Sequence, residues 1–362
     1  MKKILTVVGT RPNFIKITQF QKEFEKKGIE HKLLHTGQHY DTKMSDVFFK
    51  QLEINEPDYH LGIKAGSPCE QIGKIIIELE KVLLDYKPDM LLVVGDVNST
   101  MAAAITGNKV GVPIGHIESG LRSFDRTMPE EHNRAMTDAI TDHYFITEPS
   151  GTKNLLAEGK DEKRMHDVGN TMIDTLVAFE EEIQQSEVLS KYELTKNEFV
   201  LMTMHRPANV DTESSLKKIV SLLSSTTEDY KVVWPIHPRT ISKATDYGLI
   251  DELKNIEGLI LTDPLDYFSF QKLIADCKFV LTDSGGIQEE TTFRQKPCLT
   301  LRENTERPVT ITEGTNTLVS FDLDEIGALI KKITDGSYKP GTIPHHWDGR
   351  ATERIAEVIR QL

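Results

Sequence analysis

Asp96, Glu118, Glu131 and His205 are the residues of this sequence best placed to do chemistry: Asp96, Glu118 and His205 stand where a short apolar run gives way to polar residues, and Glu131 stands just after Pro129. Asp96 follows Met90–Val94 in Gly95-Asp96-Val97-Asn98, and Glu118 follows Pro113–Ile117 in Glu118-Ser119-Gly120-Leu121-Arg122. Glu131 stands in Met128-Pro129-Glu130-Glu131-His132, and His205 follows Phe199–Met204 in His205-Arg206-Pro207. The next apolar run, Lys231–Trp234, leads to His237-Pro238-Arg239. Plainer roles compete. Asp96 could cap the helix that follows it, and one of the two glutamates after Pro129 could serve only the helix dipole. Glu118 suits a cap less well. His116 alternates to the other side of its strand and is expected to be a buried, satisfied core histidine. Taken together, several carboxylates around an uncharged centre suit proton transfer at carbon. No His-x-x-His, Cys-x-x-Cys or Asp-rich cluster is present, so no metal site and no cofactor is expected.

A second feature lies in Phe279-Val-Leu-Thr-Asp-Ser-Gly-Gly-Ile-Gln-Glu-Glu290. An apolar strand, Phe279–Leu281, breaks at Asp283-Ser284-Gly285-Gly286 and enters a helix. A helix N-terminus offers unpaired amides and partial positive charge, and the glycines let another molecule approach the backbone. Ser284, Gly285 and Gly286 therefore form an expected anion cradle for phosphate. Glu289 and Glu290, one turn on, suit ribose hydroxyls better than phosphate, which points to a nucleoside diphosphate. An ordinary Gly-rich turn is the plainer alternative. Near the start, Gly9-Thr10-Arg11-Pro12-Asn13-Phe14-Ile15-Lys16 follows the first strand, so Arg11 and Lys16 can direct cations toward the same ligand.

The elements that must position these groups alternate. Strands are expected at Lys3–Val8, His31–His35, Met90–Val94, Pro113–Ile117 and His143–Thr147, then at Phe199–Met204, Lys231–Trp234, Leu259–Thr262, Phe279–Leu281 and Cys298–Leu301. Helices are expected at Asn13–Lys27, Cys69–Tyr86, Asn98–Lys109, Thr212–Ser225 and Phe268–Cys277. The polar stretch Ala178–Glu198 reads as an exposed helix plus linker, and Ala351–Leu362 as a short amphipathic helix. This is an α/β chain of two Rossmann-like, doubly wound parallel-sheet domains. Their strand ends would face a cleft, and the strand-end groups would face solvent.

The 362 residues, 38% hydrophobic and 27% charged, can bury two sizeable cores. A net charge of −13 disfavours nucleic acid as a partner. The absence of a long apolar run or a leader-like start implies no membrane partner, and three cysteines without metal spacing suggest a reducing, cytoplasmic location.

Several motifs occur together in order: Gly9-Thr10-Arg11-Pro12, His35-Thr-Gly-Gln-His39, Gly95-Asp96, Glu118-Ser-Gly-Leu-Arg-Ser123, Met128-Pro-Glu-Glu131, His205-Arg206, His237-Pro-Arg239, Thr282–Glu290 and Asn304-Thr-Glu-Arg-Pro308. Through them the chain resembles the non-hydrolysing UDP-N-acetylglucosamine 2-epimerases over essentially its whole length. The resemblance implies a glycosyltransferase-B type fold: an N-terminal domain over 1–175, a C-terminal UDP-binding domain over 176–345, and a helix over 346–362 crossing back. It implies interconversion of UDP-N-acetylglucosamine and UDP-N-acetylmannosamine for surface polysaccharide precursors, without metal or nicotinamide, by a homodimer. The catalytic group would be Asp96, Glu118, Glu131 and His205. Arg11, Lys16, Ser284, Gly285, Gly286 and Arg307 would hold the diphosphate and its surroundings, Glu290 the ribose, and Leu265 and Phe270 the uracil.

Two departures matter. Pro207-Ala208 replaces an Arg-Glu pair found in bacterial members with an allosteric site, leaving Gln38, His39 and Arg239 as possible parts of one. The stretch from His35 to Phe49 is more similar to archaeal members and to the branch acting on UDP-2,3-diacetamido sugar uronates, the alternative substrate. A glycosyltransferase of the same fold is a more distant alternative, but its usual single base would not require Asp96, Glu118 and Glu131 together. The Arg11-Pro12 pair favours the non-hydrolysing branch over a hydrolysing one.

Overall fold

The computed structural model describes residues 1–37, 49–63 and 66–362. It divides into two compact units: unit 1, Met1–Phe179 with His345–Leu362, and unit 2, Glu180–Pro344.

Unit 1 is built on β1 (Lys3–Val8), β2 (Glu30–His35), β3 (Tyr59–His60), β4 (Met90–Val94), β5 (Ile114–Ile117), β6 (His143–Ile146) and β7 (Met165–Asp167). They form one sheet in the order β3-β2-β1-β4-β5-β6-β7, with parallel pairing throughout. β4 is buried at all five positions, which is why its sequence is continuously apolar rather than alternating. Helix Pro68–Tyr86 shows how the cover forms. Ser67 accepts from the Glu70 amide at 3.2 Å, proline occupies the first turn, and Ile75, Leu79, Leu83 and Tyr86 make one buried stripe. Leu79, Leu83 and Tyr86 of that stripe join a core with Leu5, Val7, Leu34, Leu91 and Val93, and Ile75 packs with Ile63 and Ala102.

Unit 2 repeats the plan with β8 (Phe199–Thr203), β9 (Lys231–Pro235), β10 (Leu259–Thr262), β11 (Phe279–Thr282), β12 (Cys298–Leu301) and β13 (Asn316–Val319). The order is β10-β9-β8-β11-β12-β13, again parallel. One cluster packs Val200, Met202, Trp234 and Phe279 with Leu216, Ile219 and Leu223, and a second packs Leu201, Val233 and Val280 with Leu273 and Ile274. Residues adjacent along one strand divide between the two clusters, as a sheet covered on both faces requires. The two Rossmann-like, doubly wound parallel sheets expected from the sequence are present.

Two local expectations are corrected, and three strands were not foreseen. The stretch Asn13–Lys27 is not one helix but two, Arg11–Ile15 and Phe20–Lys26. Thr175 Oγ1 donates to the Ile15 carbonyl, the acceptor that the Gln19 amide would need in a continuous helix. The stretch Ala178–Glu198 is not a free linker. It forms helices Glu180–Gln185 and Val188–Lys191, and Ile183, Val188 and Leu194 are buried. The short strands β3, β7 and β13 lack the apolar signature of the others.

The last helix, Ala351–Gln361, packs on Phe20–Lys26 and on Thr171–Ala178 within unit 1. Its first amides, Ala351 and Thr352, donate to Asp174 at 2.9 and 2.6 Å. Burial pushes the Asp174 carboxyl up to about 6. The Trp347 indole, fully buried, donates to the Thr147 carbonyl at 2.9 Å. Among the described residues no helix is long and apolar enough to cross a membrane.

Candidate active site

In an open parallel sheet, ligands bind beyond the strand C-termini where the strand order reverses. In unit 1 that point lies between β1 and β4, and in unit 2 between β8 and β11. Gly9-Thr10-Arg11 follows β1 and Gly95-Asp96 follows β4; Met204-His205 follows β8 and Asp283-Ser284 follows β11. The residues singled out by chemistry therefore occupy the positions singled out by topology.

In unit 1, Asp96 does not cap the next helix. The N-cap of Asn98–Val110 is Val97, without a side-chain bond. Asp96 Oδ2 instead accepts from Arg134 at 2.5 Å, and the same guanidinium donates to Glu131 Oε2 at 3.0 Å. Arg134 is buried on helix Pro129–Ile140, three residues after Glu131, so one turn places both on one face. Glu131 also accepts from the Ser123 amide and hydroxyl and from the Phe124 amide, each at 2.9 Å. Glu118 pairs with Lys16, and both are buried. Its backbone is held at φ 71, a left-handed conformation uncommon for a residue with a side chain. Asn13 fixes the turn after β1: its Oδ1 accepts from the Gly9 and Thr10 amides at 3.1 Å, and its amide donates to the Val94 carbonyl at 3.1 Å.

Beneath this group His116 is fully buried. It bonds Asp138 at 2.7 Å through Nδ1 and the Gly95 carbonyl at 2.8 Å through Nε2. Arg122 joins Asp138 at 2.7 Å, as does the Gly120 amide at 3.0 Å. Burial alone would push Asp138 up, but His116 and Arg122 together hold it below its usual value. This network ties the turns after β4 and β5 to helix Pro129–Ile140.

In unit 2 the buried Asp283 organises the turn. It accepts from the His205 and Arg206 amides at 3.0 and 2.8 Å and from Asn209 at 3.2 Å, and it pairs with His205 Nδ1 at 3.0 Å. Burial raises its pKa, while the bond and charge of His205 with those amides outweigh the effect and hold it low. The His205 side chain remains 46% exposed. Ser284 is the N-cap of helix Gly285–Phe293, and its hydroxyl makes no cap bond. A Cβ at Gly285 would lie 2.8 Å from Glu306 Oε1 and 2.9 Å from an Arg307 nitrogen, so a side chain there would have to push these two ends aside. Arg307 is clamped by Glu289 at 2.8 Å and by Glu306, while Arg302 bonds Glu306 at 2.9 Å. Burial lowers the Arg302 pKa; Glu306 opposes this, and the nearby charges of Arg206 and Arg307 add to it. Arg302 and Arg307 are thus brought together beside the turn but are matched there by Glu289 and Glu306.

A family profile for UDP-N-acetylglucosamine 2-epimerase matches residues 22–360. The chain belongs to the UDP-N-acetylglucosamine 2-epimerase family. It is similar to the UDP-N-acetylglucosamine 2-epimerase of Methanococcus maripaludis, at 38% identity over 99% of this chain and 98% of that one. It is equally similar, at 38% over 99% and 100%, to the UDP-2,3-diacetamido-2,3-dideoxy-D-glucuronate 2-epimerase of Pseudomonas aeruginosa. The crystal structure of the Methanocaldococcus jannaschii UDP-GlcNAc 2-epimerase, in complex with UDP-GlcNAc and UDP, superposes with a TM-score of 0.89 at 37% identity, covering 99% of this chain and 100% of that one.

As a 2-epimerase family member, the chain is an isomerase. The residues implied by the family resemblance divide between its two units. Unit 1 holds Asp96, Glu118, Glu131, Lys16 and Arg11, the last half-buried, with its pKa lowered by that burial. Unit 2 holds His205, Ser284, Gly285, Gly286, Glu290, Arg307, Leu265 and Phe270. Leu265 and Phe270 pack partly buried against the core cluster that contains Ile287. Glu290 is 5% exposed. Burial pushes its carboxyl up to about 7, and the Glu289 charge adds to this against the Gln271 hydrogen bond and Arg294. Arg239 is exposed and donates two hydrogen bonds to Asp211, at 2.8 and 2.5 Å. Gln38 and His39 lie outside the described residues.

The expectation that these groups sit at strand ends facing solvent is corrected: Glu118 is 4% exposed, and Glu131, 7% exposed, lies in the first turn of helix Pro129–Ile140. Sequence reasoning also missed Arg134, Asp138, Asp283 and Arg302. Only Arg134 left a signal, its spacing from Glu131 on a helix.

Proposed function

We propose that the enzyme epimerises C2 of UDP-N-acetylglucosamine, giving UDP-N-acetylmannosamine, by elimination and re-addition of UDP. The carrying observation is the group Asp96, Glu118 and Glu131 around the switch point of unit 1, each held by Arg134 or Lys16. C2 of the sugar has no adjacent carbonyl, so a free carbanion there is inaccessible. In the elimination, one carboxylate takes the C2 proton. The C–H electrons form the C1=C2 bond, and the C1–O electron pair leaves with UDP, giving a 2-acetamidoglucal. Addition reverses the steps: the UDP oxygen bonds C1 and C2 takes a proton on its other face. Asp96, a quarter exposed, is the accessible acid of the three. Glu118 and Glu131 complete the acid–base set.

Unit 2 supplies the leaving group's support. The Ser284 hydroxyl and the Gly285 and Gly286 amides, with Arg307, take the diphosphate charge, and His205 assists as it grows. Glu290 accepts from the ribose hydroxyls, and Leu265 and Phe270 flank the uracil. The relative crystallised with UDP-GlcNAc and UDP supports this choice of ligand. The Pseudomonas relative supports a second reading, a UDP-2,3-diacetamido uronate as substrate for the same reaction. The product would feed surface polysaccharide assembly, and the working form would be a cytoplasmic homodimer.

A proton NMR time course in deuterated, chelator-containing buffer tests the reading. Both epimers should appear and gain deuterium at C2. Epimerisation with C2–H fully retained refutes the elimination, and turnover of the uronate alone moves the substrate to the second reading.

A further inference from the structure

Asp167, His345 and His346 come together in unit 1, away from the acid–base group. Asp167 ends β7, the edge strand. β4, which leads to Asp96, lies three strands away, about 14 Å at the usual strand spacing. The two histidines stand where the chain re-enters unit 1. One ligand-type atom from each of the three residues lies within 4.8 Å of the other two.

The separations are informative. His346 Nδ1 is 3.4 Å from one Asp167 oxygen, and His345 Nδ1 is 3.7 Å from the other. Both exceed a normal N–H···O bond of about 2.7–3.2 Å. They approach the spacing of about 3.3–3.5 Å between ligand atoms set tetrahedrally about an ion at 2.0–2.1 Å. His346 Nδ1 is buried and makes no hydrogen bond, a costly state for a ring nitrogen unless something else occupies it.

His346 is also held in place. Its φ is 60, in the left-handed region. Its carbonyl fills the space beside Gly169, where a Cβ would lie 2.0 Å away. The next residue is the buried Trp347, bonded to Thr147. Arg354 donates to the Val168 carbonyl at 3.1 Å and to Asp348 at 2.9 Å, tying this segment to the residue after Asp167. The His345 and His346 rings lie with centroids 3.8 Å apart, tilted 34° to each other. Strain held at one residue, with an unbonded ring nitrogen directed at a carboxylate, is the arrangement of a preorganised ligand set.

We infer that Asp167, His345 and His346 bind one divalent transition-metal ion, of the borderline class that takes imidazole with carboxylate, such as zinc, cobalt or nickel. His345 and Asp167 are 73% and 54% exposed, so water completes the coordination. The ion fastens the returning segment to β7 and plays no part in the epimerisation.

The test uses the full chain stripped of metal and titrated with cobalt(II) alone. One ion should bind per chain with a visible ligand-field spectrum, and zinc should displace it. His346→Ala and Asp167→Asn should each weaken binding about tenfold or more. Epimerase activity in chelator should be the same for both variants as for the parent, which shows that they fold. Cobalt should also slow amide exchange over 346–351 in the parent and not in the variants. No saturable binding overturns the inference, and so does binding unchanged in His346→Ala and Asp167→Asn.

Discussion

Glu290 should make nucleotide binding depend on pH in a way that its amide analogue abolishes. Its carboxyl titrates at about 7 rather than 4.5, first because of burial and then because of Glu289. A gap of that size disfavours the buried anion by about 3 kcal/mol. The native chain thus holds this proton more tightly than the unfolded chain. The resulting stabilisation is complete below pH 4.5 and is lost as the pH rises through about 7. The ionised form accepts from two ribose hydroxyls, while the protonated form keeps one good acceptor and turns a donor toward the sugar, so UDP binding favours loss of the proton. Its affinity through this group should tighten about tenfold between pH 6 and pH 8, with close to one proton released at the lower pH. The assay is calorimetry of UDP binding in buffers of differing ionisation enthalpy, comparing the parent with Glu290→Gln. UDP's own phosphate titrates in the same range, so the difference between the two proteins is the readout. Identical pH dependence and proton release in both would refute the reasoning, whether the carboxyl is already ionised or the ribose does not reach it.

Asp96→Asn, Glu118→Gln, Glu131→Gln and His205→Ala should each lower turnover by roughly two orders of magnitude, measured by NMR of the epimer mixture. Glu118→Gln should in addition lose about 3–5 kcal/mol in denaturant unfolding, because Lys16 is left buried without its counter-charge; the same stability as the parent would show that Lys16 finds another partner. Gly285→Val should abolish UDP binding in calorimetry, since its side chain would collide with Glu306 and Arg307, while unchanged affinity would place the diphosphate elsewhere.

The doubly wound plan was legible because buried parallel strands leave continuous apolar runs, and β1, β4 and β12 fall where those runs are. The edge and short strands β3 and β7 left no run, as two or three partly exposed residues need no apolar signature. The break after Ile15 was illegible because its cause, Thr175, lies 160 positions along the chain. The same holds for the site. Asp96, Glu131 and His205 could be selected by type and position, but their support could not. Asp138 reaches back 22 positions to His116, and Asp283 reaches 78 to His205. Such partners are chosen by the fold, and an aspartate in mid-helix or in a Gly-rich turn has an ordinary explanation in sequence. The Asp167–His345–His346 group shows the same limit, since spacing rules see ligands close in sequence, not one brought across a strand edge.

The return of residues 345–362 to unit 1 sets an order of events during synthesis. Unit 2 is continuous in sequence and can close as soon as Pro344 has emerged. Unit 1 leaves the ribosome before unit 2 but lacks the Trp347 plug and the helix covering Phe20–Lys26 and Thr171–Ala178 until residues 347–361 have emerged. At about 5–20 residues per second it waits roughly ten to thirty seconds while the other unit is made. Through that interval the apolar faces destined for Ile355, Ala356 and Ile359 stay open. The nascent half-finished unit, rather than the mature enzyme, is therefore where chaperone engagement and aggregation should concentrate, and a chain cut short after Pro344 would remain in that state.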